Sequence, residues 1–158
     1  MTAWLDDEEM AAWRGMVEVQ GQIDTELEAD LVRRHGITLG EYAVFVVLSE
    51  VPGERLRMCD LADRLHLSPS GLTRRLDGLV RQGLVARQPS DEDRRATLAV
   101  LTPAGRARLE AAAPDHVEGV RRAFFDHLTR ADITALAEAF AAVRQARVER
   151  AHPAGSPS

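Results

Sequence analysis

Lysine is missing altogether: all 20 basic residues of this 158-residue chain are arginine. Together with the abundance of alanine, that reads as the codon bias of a GC-rich genome. Cysteine occurs once, at Cys59, which excludes an internal disulfide framework and suits a reducing cytoplasm. Aromatic residues are scarce, at 4%, so a core must be built mostly from Ala, Leu and Val. No apolar run approaches the roughly 18–20 residues that span a bilayer. The opening MTAWLDDEEM is acidic, against a secretory or mitochondrial leader. His35, His66, His116, His127 and His152 form no i,i+4 pair and find no cysteine at zinc spacing, so no metal site is expected. A Gly-rich phosphate loop, a Ser nucleophile elbow and HExxH are also missing. Paired carboxylates occur only in solvated acidic runs. An enzyme is therefore not expected, nor a cofactor.

What is present fits a single domain, 1–158, with enough apolar residues (45%) to bury a core. The net charge of −5 hides an asymmetry. Between Arg55 and Arg108 stand 11 Arg against 6 Asp/Glu, while the remainder holds 9 Arg against 19 acids. A basic middle between acidic flanks gives a local phosphate-seeking footprint and limits indiscriminate binding to nucleic acid.

Periodicity places a long helix over Asp7–Arg34, with Met10, Trp13, Val17, Gln20, Ile23, Leu27 and Leu31 on one face and Gly36 ending it. Thr38 and Glu41 have capping-box spacing. The helix they open carries Leu39, Tyr42, Ala43, Val46 and Val47 and stops before the turn signal Pro52-Gly53. Met58–Leu65 is short and amphipathic. Ser68-Pro69 then opens a second short helix to about Gln82, with Leu72, Leu76, Leu79 and Val80 inward. Two short helices joined by the tight polar turn His66–Pro69 make a helix-turn-helix.

Leu84–Gln88 and Thr97–Leu101 are β-prone runs around a charged loop, a hairpin. Thr102-Pro103 opens a helix toward Phe124, Phe125 and Leu128 that Pro114 is expected to kink or interrupt. Thr129–Asp132 starts a last helix with Ile133, Leu136, Phe140 and Val143 on one face. The Pro/Gly/Ser-rich tail 152–158 is expected to be disordered.

An α-helix fits the major groove and reads it near its N-terminus. Opposite the leucine face lie Ser70, Thr73, Arg74, Asp77 and Arg81. Arg74, with Arg75, can fork onto guanine, Thr73 can meet a thymine methyl or a phosphate, and Ser68 and Ser70 sit where helix N–H groups favour phosphate. Arg94 and Arg95 at the hairpin tip suit a narrow minor groove. Asp93, repelled by phosphate, is expected to pair with a neighbouring arginine and aim it.

The stretch Leu39–Leu109 resembles the MarR family of bacterial regulators. The resemblance rests on Asp93-Arg-Arg95 followed by Thr97–Gly105, and on Leu61-Ala, Ser68–Ser70, Leu72–Arg74, Leu76-Asp77, Leu79 and Gly83–Val85 at the family's spacings. It implies a mainly α fold with a small β-hairpin wing: a winged helix-turn-helix lobe over 38–101, with dimerisation helices at 7–35 and 103–150. It also implies a homodimeric repressor on a pseudo-palindromic double-stranded DNA operator. The apolar stripes on Asp7–Arg34 and Thr129–Arg150 independently ask for a partner.

Relatives commonly bind a small aromatic or phenolic anion between the dimerisation helices and the DNA-binding lobe. Trp13, His35 and Tyr42 are the candidates to line such a cleft. Two alternatives stay open. One is a thiol-based redox response through Cys59, which the neighbouring Met58 and Leu61 predict to be half-buried and so inert. The other is a winged-helix module that docks a protein instead of DNA.

Overall fold

The computed structural model describes residues 3–90, 93 and 95–151. The tail 152–158, expected to be disordered, and Arg94 of the wing tip lie outside the described residues. The chain divides into two compact units, Met1–Gly119 and Val120–Ser158.

The first unit opens with α1 (Asp7–His35), whose N-terminus carries a capping box between Asp6 and Glu9 and whose end is closed by Gly36 in the left-handed conformation. α2 (Leu39–Ser49) starts from the Thr38/Glu41 box expected from sequence: Oγ1 of Thr38 accepts from the Glu41 N–H, and the Glu41 carboxylate accepts from the Thr38 N–H. Its buried residues are Tyr42, Val44, Phe45 and Leu48. Only Tyr42 belongs to the face expected from sequence. The reason is that LGEYAVFVVLS is apolar nearly all round, and α1, α4 (Pro69–Arg81), the sheet and α3 (Met58–Arg64) all pack on α2. Periodicity cannot select a face where neighbours cover most of the cylinder.

A 3-10 turn at Pro52–Glu54 leads into β1 (Arg55–Arg57). The sheet is three-stranded and antiparallel, in the order β1-β3-β2, with β2 at Val85–Pro89 and β3 at Thr97–Leu101. β1 is a strand that the sequence reading lacks. Three residues bounded by arginines show no alternation to detect, and only the pairing Arg55↔Val100 through Arg57↔Leu98 makes them a strand. β2 and β3 run from Val85↔Leu101 to Pro89↔Thr97.

Val44, Phe45, Leu48, Leu61, Leu72, Leu76, Leu79, Val85 and Ala99 are all at most 1% exposed and form one continuous core beneath the helix-turn-helix. α5 (Pro103–Ala123) starts from Thr102, whose Oγ1 accepts from the Gly105 N–H. Pro114 lies inside α5 and does not interrupt it. A single missing N–H deprives one carbonyl, that of Glu110, and a helix of this length absorbs the loss.

In the second unit a 3-10 turn at Phe125–His127 precedes α6 (Arg130–Ala151). Thr129 and Asp132 cap α6 reciprocally. None of the described residues of α6 is buried, and Phe140, Val143 and Val148 are exposed. Among the described residues no helix is long and apolar enough to cross a membrane, and no cluster of His, Cys, Asp or Glu could hold a metal ion.

Candidate nucleic-acid interface

α3 and α4 are joined by a turn in which His66 adopts φ 52°, a left-handed value that a non-glycine residue accepts only in a tight turn. Ser68 caps α4: its Oγ accepts from the Gly71 N–H at 3.1 Å and lies 3.2 Å from the Ser70 Oγ. Pro69 occupies the first helical position, where no N–H is needed. Leu72, Leu76 and Leu79 are buried beneath. This leaves Ser68, Ser70, Thr73 and Arg74 exposed on the outer side of the helix's first two turns. The Thr73 hydroxyl donates back to the Pro69 carbonyl at 2.9 Å, so its methyl is the freer contact. Arg75 differs from Arg74: it is half-buried, with its guanidinium beside Gly40 of α2.

The wing leaves β2 at the buried Ser90, whose N–H donates to the Ala96 carbonyl. Asp93 turns the chain: its carboxylate accepts from the Arg95 N–H at 3.0 Å and its carbonyl from the Ala96 N–H at 2.8 Å. The expected partner of Asp93 was an arginine side chain. Among the described residues the contact is to the Arg95 main chain, so Asp93 shapes the turn and leaves the exposed Arg95 side chain outward.

One residue of this region escaped the sequence reading. Arg87 on β2 donates to the Asp77 carboxylate at 2.8 Å and to the Thr73 carbonyl at 3.2 Å. The available signal was charge alternation, an acid on the helix and a base on the next strand, but sequence separation hides that pairing.

Between α4, the start of α3 and the wing lies an open groove lined by Arg57, Met58, Cys59, Thr73, Arg87, Arg95, Ala96 and Thr97. Cys59 is exposed there, not half-buried as expected from its neighbours. Met58, Leu61, Ala62 and Leu65 share α3's inward stripe, and Cys59 is rotated off it by a helical step. Its Sγ is 3.5 Å from Oδ1 of Asp60.

The residues considered for a ligand cleft do not gather as one set. Trp13 is 55% exposed and about 33 Å along α1 from His35 at helical rise. His35 and Tyr42 both lie at the junction of α1, α2 and α5. His35 Nε2 is 2.8 Å from the Asp115 carboxylate, which also accepts from Arg34, and the Arg108 guanidinium donates to the His35 carbonyl. The hydrogen bond to His35, with the Arg34 charge, holds the Asp115 carboxyl below its ordinary range against some desolvation. The Tyr42 ring packs on His116 at 4.3 Å, and burial raises the tyrosine and lowers the histidine. His116 Nδ1 is buried without a hydrogen-bond partner among the described residues.

A helix-turn-helix whose outer helix is flanked by a loop on an antiparallel sheet defines a winged helix-turn-helix protein. The profile of the MarR family matches residues 35–96. AbsC, a MarR family transcriptional regulator from Streptomyces coelicolor, is 39% identical with a TM-score of 0.83, over 91% of this chain and 97% of AbsC. Sco3205, a MarR family transcriptional regulator from the same organism solved in complex with DNA, is 32% identical with a TM-score of 0.85, over 98% of this chain and 94% of the other. YetL, an HTH-type transcriptional repressor of Bacillus subtilis (strain 168), is 36% identical over 81 residues. That match spans 51% of this chain and about half, 48%, of YetL. The chain belongs to the MarR family, a family of transcription factors.

Proposed function

We propose that the protein is a homodimeric, sequence-specific repressor that reads a pseudo-palindromic operator through α4 in the major groove and its wing in the minor groove. The observation that carries this reading is the exposed first half of α4: Ser68, Ser70, Thr73 and Arg74 face outward over a buried leucine stripe, beside a wing bearing Arg95. Arg74 is the fork for guanine, the two serines take phosphate, and Arg95, with Arg94 beside it in sequence, takes the minor groove. Its place of action is the cytoplasm. The solved complex of Sco3205 with DNA supports DNA as the partner, and YetL's description supports repression.

Dimerisation has its support in apolar side chains left exposed in each unit: Trp4, Leu5, Trp13, Met16, Val17 and Val19 around α1, and Phe140, Val143 and Val148 on α6. A twofold dimer calls for half-sites about one helical turn apart. Release by a small aromatic or phenolic anion is the regulatory part of the reading. It is supported by the junction of His35 and Tyr42, where His116 Nδ1 offers an unused acceptor or donor. Such a ligand acts only if it binds the DNA-competent and DNA-free conformations unequally.

Selection of bound sequences from a random duplex pool tests the reading directly. Enrichment of a palindrome with half-sites about one turn apart is the expected result. Weak binding without enrichment would instead favour a protein-docking module, and a shallow salt dependence would say the same.

The exposure of Cys59 in the groove favours a second regulatory reading, in which oxidation of the thiol places bulk or charge against DNA. Peroxide that releases the wild type but not Cys59→Ser would support it; equal release would end it.

A further inference from the structure

Arg75 interrupts the inward stripe of α4. It stands three residues after Leu72 and four before Leu79, both at most 1% exposed, so helical periodicity turns it toward the protein. Thr73 and Arg74 point the other way. The Arg75 guanidinium ends over Gly40 in the first turn of α2: a Cβ at Gly40 would stand 2.6 Å from its Cζ, 2.8 Å from Nη1 and 2.9 Å from Nε. The seat exists because residue 40 has no side chain.

The same turn of α2 gathers three elements. Glu28 of α1 accepts from the Leu39 N–H, and Glu41 accepts from the Thr38 N–H at 2.8 Å. One helical turn beyond Arg75, Gly78 faces Glu41, whose Oε1 would be 3.7 Å from a Cβ there. A cation near the positive end of a helix is ordinarily unfavourable. Two carboxylates at that end offset this, and the guanidinium's flat faces and long stem suit a half-buried seat.

We propose that Arg75 is a positioning residue: seated over Gly40, it sets how α4 lies on α2, and it leaves Arg74 as the arginine of the pair that meets DNA. The inference rests on the reading of α4 as the DNA-reading helix. It links α2 to the reading helix through one side chain, with no contact between Arg75 and nucleic acid.

The test is a mutant cycle on the full chain: Arg75→Ala, Gly40→Ala and the double variant, with Arg95→Ala as the direct-contact control. Each is measured against the duplex selected by the wild type over a range of salt. Arg75→Ala should lower affinity by about threefold or more, as expected for a packed pair, with the wild-type salt slope retained. Gly40→Ala, which displaces the guanidinium, should do the same, and adding Arg75→Ala to it should change nothing further. Arg95→Ala should flatten the slope by about one ion. An Arg75→Ala slope flattened like that of Arg95→Ala would make Arg75 a direct DNA contact and overturn the proposal. So would wild-type affinity in Arg75→Ala, or additive losses in the double variant. Thermal melts of each variant separate a changed pose from unfolding, since the proposal requires a folded Arg75→Ala. A wild type that prefers no duplex would instead end the DNA reading of α4; non-additive melts in the same cycle would then still report the Arg75–Gly40 contact.

Discussion

Arg87 on β2 ties the wing to the reading helix, donating to the Asp77 carboxylate at 2.8 Å and to the Thr73 carbonyl at 3.2 Å. The two side chains are 32% and 44% exposed, so solvent screens the pair and its stabilisation is about 0.5 kcal/mol. Its larger effect is geometric, because it fixes the distance between two DNA-facing elements. Arg87→Ala is expected to leave the melting temperature nearly unchanged while weakening operator binding. A double-mutant cycle with Asp77→Ala should show coupling in binding that is absent from the melts. Equal coupling in both would make the pair a stability feature alone.

Arg74 and Arg95 are expected to fail differently. Arg74→Ala should cost about 1–3 kcal/mol of base discrimination at one position per half-site. Arg95→Ala should weaken binding across sequences and flatten the salt dependence. Competition against single-base operator variants at two salt concentrations distinguishes them. Wild-type binding by Arg95→Ala would remove the wing from the interface.

Gly105 is irreplaceable for a steric reason. A Cβ there would overlap the Leu84 carbonyl oxygen, a main-chain atom that the Thr102 hydroxyl also holds, at 3.0 Å. Since backbone must move, Gly105→Ala should destabilise by about 2–3 kcal/mol. Gly78→Ala meets only an ordinary contact at 3.7 Å and gains helix propensity, so it should be neutral or stabilising by up to about 1 kcal/mol. Denaturant unfolding of the two variants checks the contrast.

Acid should loosen the junction of α1, α2 and α5. Burial lowers His116 in the folded chain below its ordinary 6.5, so the unfolded chain takes up the proton first. The stability this contributes is present above pH 6.5 and lost as pH falls through the lowered native value. Asp115, also lowered, contributes stability above its ordinary 3.8 that is lost at still lower pH. His116→Phe keeps a ring against Tyr42 and should flatten the melting temperature between pH 7 and pH 5. An unchanged slope in that variant would place the titrating group elsewhere.

The helix-turn-helix was legible because its signals are local. Ser68-Pro69, the leucine spacing of α4, the Thr38/Glu41 and Thr102 caps and the strand at Thr97–Leu101 depend on residues within a few positions of one another. Asp93 reads as a shaping residue, and among the described residues its carboxylate holds the main chain of Arg95. Adjacency pairs Arg75 with Arg74, although its spacing from Leu72 and Leu79 points inward. Cys59 had the same signal, one helical step off the stripe of Met58 and Leu61.

Local chemistry written along the chain therefore suffices for the order of the elements, for where each helix starts, and for the outward set on α4. Capping and amphipathic spacing act over one or two turns and hardly depend on the rest of the fold. The strand β1, the inner face of α2, the tie from Arg87 to Asp77 and the seat of Arg75 over Gly40 were decided only when the elements packed. Each joins residues that are distant in sequence or differently surrounded on every side, and such contacts exist only once the core has set the spacing between backbones.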